Sequence, residues 1–308
     1  MWFSAFAIAC LSKPQQDSQE SPIPDEPEAY VSPDEVTEKR SLMHQNLNRD
    51  YWLHIPSGLP ESAPLWIVMH GYSDGAESMM NWSNLNTLAD EKKFAVAYPQ
   101  GTIDDNGFAF FNVGYAFHGN QTVDDLDFIR VLISELQSEY RLSADNVFAT
   151  GLSNGGDMSY YLACEASDVF QAIAPVAGTM MSHIFDNCSP DESIPVFEIH
   201  GTEDDVTLWD GDLTNQYGWG SYMDTDSVMA FWAAHNNLEE QSSVMLEDTT
   251  AGDGSVVRFE RYYSGESPIE VWLYAVEGGG HDWPGIWGNM DIDSGAEIWG
   301  FFDQMSVE

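Results

Sequence analysis

The sequence predicts an α/β fold: a mostly parallel central sheet with helices on both faces. Three observations lead there. Short apolar runs rich in β-branched and aromatic residues recur along the chain, and read as strands buried on both faces. Stretches with helical spacing lie between them, and strand–helix–strand alternation produces parallel pairing. The chain has 308 residues, 43% hydrophobic and 13% aromatic, which is ample for one large core.

Residues 1–10 are apolar without a basic start and end in Ala7-Ile8-Ala9-Cys10. That ending looks like a bacterial lipobox, in which the Cys is lipidated and becomes the mature N-terminus. The other reading is a plain apolar N-terminal segment. Residues 11–39 are an acidic, Pro/Ser-rich stretch that reads as a disordered tether, because it lacks the apolar residues to build a core. A polar tether directly after a lipobox-like Cys points to export. The folded domain is expected over residues 40–308.

Within that domain, residues 49–56 alternate and read as a strand. Residues 64–70 and 94–99 are continuous apolar runs, with a helical stretch from 76 to 92 between them. Residues 100–121 lack periodicity, yet Phe108, Phe110, Phe111, Tyr115 and Phe117 argue for order. A helix is expected over 123–140, with Leu126, Phe128, Ile129, Leu132, Ile133 and Leu136 on one face. Strands follow at 146–150, 170–178 and 194–200, and a helix begins at Asp157. Residues 223–236 read as helix, 241–247 and 255–263 as a hairpin or edge pair, 268–276 as a strong strand, and 291–304 as a final helix.

Lys and Arg number 10 against 51 Asp and Glu, a net charge of −41. Such a surface repels phosphate backbones, so nucleic acid is excluded as a partner. No apolar run reaches the roughly 18 residues of a membrane-spanning helix. The three cysteines form no Cys-x-x-Cys pair, and no metal site or cofactor is expected.

The chemistry centres on Gly151-Leu152-Ser153-Asn154-Gly155. A strand that turns sharply into a helix lifts its central serine out of the sheet, and the flanking glycines make room for the turn. The following helix begins with unpaired N–H groups that attract developing negative charge. A serine hydroxyl needs a base within reach and a third group to orient that base. In the α/β-hydrolase arrangement these come in the order Ser, Asp, His, each after a strand. His281 follows Gly278-Gly279-Gly280 at a strand end and fits the base. Asp204, Asp205 and Asp210 compete for the acid. The backbone N–H of Asn154 and of Tyr72, in His70-Gly71-Tyr72, fit an oxyanion hole. His70 and His200 end strands and read as braces.

The ordered set His70-Gly71-Tyr72, Tyr98-Pro99-Gln100-Gly101, Gly151-Leu152-Ser153-Asn154-Gly155-Gly156, His200-Gly201-Thr202-Glu203-Asp204 and Gly280-His281-Asp282-Trp283-Pro284-Gly285 resembles the polyhydroxybutyrate-depolymerase-like esterases. That group includes feruloyl and acetylxylan esterases. The resemblance spans residues 45–304 and implies an α/β-hydrolase fold. It implies Ser153 as nucleophile, His281 as base and Asp204, in His-Gly-Thr-x-Asp, as orienting acid. Relatives place cysteines like Cys164 and Cys188, which implies a disulfide and leaves Cys10 for lipidation and a membrane tether. Trp283 and Trp287 follow His281, and Trp209 and Trp219 follow Asp204, so some of them should line the mouth; Trp283, Trp209 and Asn112 are the expected substrate contacts. Tyr72 and Asp282 depart from the usual family residues, which bears on substrate preference.

The functional expectation is an exported serine ester hydrolase working through an acyl-enzyme on polymer-linked esters. Polyhydroxybutyrate-type polyester and the feruloyl or acetyl esters of xylan fit equally. Two rivals stand beside it: a serine peptidase of the same fold, and a catalytically dead, lipid-anchored binding protein.

Overall fold

The computed structural model describes residues 1–2, 30–265 and 267–307. Met1–Val31 and Ser32–Glu308 form separate units, and the second holds all the secondary structure among the described residues. The lipobox-like stretch, Cys10 and most of the tether lie outside the described residues.

Twelve strands are present among the described residues. They are β1 (Val36–His44), β2 (Leu47–Ile55), β3 (Leu65–Met69), β4 (Ala95–Pro99), β5 (Thr102–Ile103), β6 (Ala109–Phe110), β7 (Val147–Leu152), β8 (Ala172–Val176), β9 (Val196–Gly201), β10 (Glu240–Met245), β11 (Val256–Tyr263) and β12 (Val271–Glu277). Seven helices accompany them: α1 (Ala76–Trp82), α2 (Leu85–Lys92), α3 (Asp125–Tyr140), α4 (Asn154–Glu165), α5 (Ser182–Asn187), α6 (Thr225–His235) and α7 (Ser294–Met305).

Ten strands form one sheet in the order β1-β2-β4-β3-β7-β8-β9-β12-β11-β10. The six from β4 to β12 pair in parallel, and antiparallel strands close both edges. Every residue of β3, β4, β7, β8 and β9 is buried, as the continuous apolar runs require. Alternation then assigns the faces. Leu65, Ile67 and Met69 join a core with α3, α4 and α6, while Trp66 and Val68 join a second core with α1, α2 and α7.

The structure departs from the sequence reading in four places. The domain begins with β1 at Val36, inside the stretch read as tether. Paired with β2 from Val36 to His44, this strand draws its order from the sheet edge rather than from its own polar composition. The stretch 76–92 is two helices, broken at Asn84, whose φ is +60°. Residues 100–121 contain the β5–β6 hairpin and a 3-10 turn at Ala116–His118, held by buried Asp104. That carboxylate accepts from Phe108 N, Asn106 N, Tyr72 OH and His118 Nε2. Burial opposes its charge, but these hydrogen bonds outweigh burial and hold its pKa well below the usual carboxylate range. The short α5 carries no apolar periodicity and was not legible. A disulfide joins Cys164 to Cys188, tying the end of α4 to the end of α5.

Candidate active site

β7 delivers the chain to Ser153, which stands at φ 57° and ψ −119°. A non-glycine residue held there is strained, and the strain is sustained because the surroundings fix both sides. Ser153 N donates to Val176 O at 2.9 Å. At Gly155, a Cβ would lie 2.2 Å from Met69 O, so the helix start and β3 approach more closely than any side chain permits. The turn therefore needs the second glycine of the motif for backbone contact with the neighbouring strand.

The loop after β3 lies against the serine: a Cβ on Gly71 would sit 3.5 Å from Ser153 Cβ. Among the described residues, the backbone N–H groups of Tyr72 and Asn154 donate to no other group. His70 holds this loop. Its Nε2 accepts from Gly101 N at 3.0 Å, so Nδ1 carries the proton and donates to Gly71 O at 2.8 Å. Burial lowers its pKa and keeps it neutral, the bracing role expected of it. The Asn154 side chain is also a brace. It accepts from Phe111 N at 2.7 Å and donates to Phe111 O at 3.0 Å, pinning the 100–121 loop to the elbow.

The loops after β9 and β12 meet because Gly201 has no side chain. A Cβ there would fall 2.3 Å from Gly280 O. This close approach brings Asp204 to His281, whose Nδ1 lies 2.7 Å from Asp204 Oδ2. Asp204 is buried, and its other oxygen accepts from Val206 N at 2.8 Å and Thr207 N at 2.9 Å. Asp205, the rival in sequence, is exposed. The Asp204 carboxylate leaves Nδ1 of His281 protonated and Nε2 free as a base. Ser153 Oγ makes no hydrogen bond among the described residues; such contacts commonly tighten only with substrate bound.

Ser153 opens into a small pocket of about 20 Å³ lined by Tyr115, Asp157, Thr179, Met181, Val206, Thr207, Trp219 and Tyr222. Asp157, one helical turn past Ser153, accepts from Tyr115 OH at 2.7 Å and Thr179 N at 2.8 Å. Burial raises its pKa to about 7. Sequence reasoning missed this residue, although its spacing from Ser153 on α4 places both on one helix face.

The expected substrate contacts need correction. Trp283 is 1% exposed and packs edge-on against Trp82 in the core under α1, so it is a core residue. Trp209 lies edge-on to His200, with ring centroids 5.8 Å apart, behind the acid loop rather than in the cavity. Asn112 braces its own loop, donating from N to Asp125 Oδ2 and from Nδ2 to Val123 O. The tryptophan that does line the cavity is Trp219.

A strained serine between strand and helix, with a His–Asp pair on later strand-end loops, belongs to the α/β-hydrolase esterases. Solved structures agree on the fold. An acetyl xylan esterase from Aspergillus awamori superposes with a TM-score of 0.60 at 16% identity, covering 87% of this chain and 99% of that one. An S-formylglutathione hydrolase from Agrobacterium tumefaciens gives 0.57 at 10% identity, covering 88% and 96%.

The sequence narrows the class to a family. The model of the Esterase PHB depolymerase family matches residues 49–231, and the chain belongs to that family of esterases. NocK of Nocardia uniformis subsp. tsuyamanensis, a protein described as an esterase, is 31% identical over 264 residues, covering 82% of this chain and 75% of that one. Feruloyl esterase B of Piromyces equi is 29% identical over 73% of this chain, and poly(3-hydroxyalkanoate) depolymerase C of Paucimonas lemoignei is 27% identical over 82%. The matches span 41% of the Piromyces enzyme and 63% of the depolymerase.

Proposed function

We propose that this esterase works through an acyl-enzyme formed on Ser153. His281 Nε2 takes the Ser153 proton as Oγ attacks the ester carbonyl. The backbone N–H groups of Tyr72 and Asn154 hold the resulting oxyanion. His281 then gives its proton to the leaving alcohol, and the same imidazole activates the water that releases the acid. Asp204 orients His281 and stabilises its charged form. The observation that carries this reading is the 2.7 Å contact between His281 Nδ1 and buried Asp204, placed after β12 and β9 in the order the chemistry requires. Each oxyanion donor is worth on the order of 3 kcal/mol of transition-state stabilisation.

The substrate we favour is a polymer-linked ester: a polyhydroxybutyrate-type polyester, or the feruloyl or acetyl esters of xylan. The Cys164–Cys188 disulfide supports an oxidising, exported location, and Cys10 is the proposed lipidation site for a membrane tether. Ser153→Ala should abolish turnover of a short-chain aryl ester and labelling by a fluorophosphonate. Near-normal turnover would refute the assignment, and cleavage of peptide amides in preference to esters would favour the peptidase. Product analysis on the three polymers identifies the ester.

A further inference from the structure

His200, at the end of β9, is fully buried and does not line the Ser153 cavity, yet both of its ring nitrogens face acceptors. Nε2 lies 2.8 Å from Thr207 O, and Nδ1 lies 3.0 Å from Glu198 Oε1. A backbone carbonyl only accepts, so Nε2 carries a proton. Glu198 already accepts from Gly178 N at 3.2 Å through Oε1, and from Tyr160 OH at 2.8 Å through Oε2. Oε1 thus faces both Gly178 N and His200 Nδ1, an arrangement that a carboxylate paired with an imidazolium satisfies. His200 Nε2 also lies 3.5 Å from Asp204 Oδ2, the oxygen that accepts the hydrogen bond from His281 Nδ1.

We propose that His200 is a buried imidazolium, balanced by Glu198, which positions the Asp204 carboxylate for His281. The proposal rests on the reading of Ser153, His281 and Asp204 as the catalytic set. Burial opposes the charge on His200, but the Glu198 hydrogen bond and charge outweigh it and raise the imidazole's pKa above its ordinary value. Burial raises the pKa of Glu198 as well, and the His200, Tyr160 and Gly178 hydrogen bonds oppose that rise; Asp204 on the following loop and Asp157 on α4 are the other charged groups around the pair. His281 lies beyond Asp204. The line thus alternates Glu198 negative, His200 positive and Asp204 negative. Without the central cation, two buried carboxylates would share one region, and one of them would take up a proton.

Nitrogen-15 NMR of the intact chain reads this directly. Both His200 nitrogens should be protonated from about pH 6 to pH 8. A bare His200 nitrogen in that range overturns the proposal, and this readout does not depend on Ser153. His200→Gln and Glu198→Gln should each lower kcat on a short-chain aryl ester, with KM little changed. Imidazoles held by carboxylates at metal sites suggest a loss on the order of tenfold. Both variants should also move the acid limb of kcat/KM to higher pH, because the imidazolium no longer disfavours a proton on His281. A lower Tm with kcat and the acid limb unchanged would reduce His200 to a packing residue. Should both variants fail to fold, the NMR result on the unaltered chain decides. Failure of the Ser153→Ala test would instead remove the catalytic reading while leaving the His200 charge measurable.

Discussion

Ser153, at φ 57°, is held in its strained conformation by contacts on both flanks, and one turn further along α4 Asp157 carries a different cost. Burial raises the Asp157 pKa from an ordinary 3.8 to about 7. Between those values the folded chain binds a proton that the unfolded chain has released. Stability therefore falls as pH rises through that window and levels off above it. Asp157→Asn keeps the shape of the side chain and removes the titration. The difference in unfolding free energy between about pH 5 and about pH 7.5 should shrink in this variant; an unchanged difference would show that another group is responsible. At this scale Ser153, Asn154 and His281 were legible, because glycines and strand ends mark them. The lining of the cavity was not. Tyr115, the nearby Thr179 and Met181, and the nearby Trp219 and Tyr222 come from three separate loops and meet only in space.

Among the elements, the 100–121 loop shows how a long segment stays ordered without periodicity. Asp104 accepts five hydrogen bonds, which tie it to Asn106, Phe108 and His118 within the loop and to Tyr72 outside it, and Asn154 fastens Phe111 to the elbow. Its aromatic residues signalled order, but a single aspartate as the knot left no pattern in sequence. The disulfide does similar work between α4 and α5. It closes a loop of 24 residues, which should contribute about 3 kcal/mol by restricting the unfolded chain. Reduction, or replacement of Cys164 and Cys188 by Ser, should lower the unfolding free energy in urea by that order, with the fold retained. A midpoint unchanged in urea would mean that native packing alone holds α5.

For the whole molecule, the net charge of −41 is the dominant property. Few cations offset it, and those that do include Arg49, buried against Asp125 beneath the sheet edge. Self-repulsion on such a surface weakens the compact state. Raising salt from about 0.01 M to about 0.15 M shortens the screening length from roughly 30 Å to roughly 8 Å. Tm should rise across that range, and a Tm that falls or stays level would show that the acidic surface costs the fold little.

By itself, the sequence determined the fold class, the family and the order of the candidate reactive residues. Those follow from local signals: apolar runs long enough for buried strands, glycines where the backbone must turn or touch, and reactive side chains set directly after strands. Tertiary structure alone decided the rest. It set Trp283 and Trp209 away from the cavity and brought Trp219 into it. It also revealed the Glu198–His200 pair behind the acid. The physical reason is range. Spacing along a strand or helix sets which face a residue takes, whereas burial, charge pairing and cavity lining depend on segments far apart in the chain that only the packed sheet brings together.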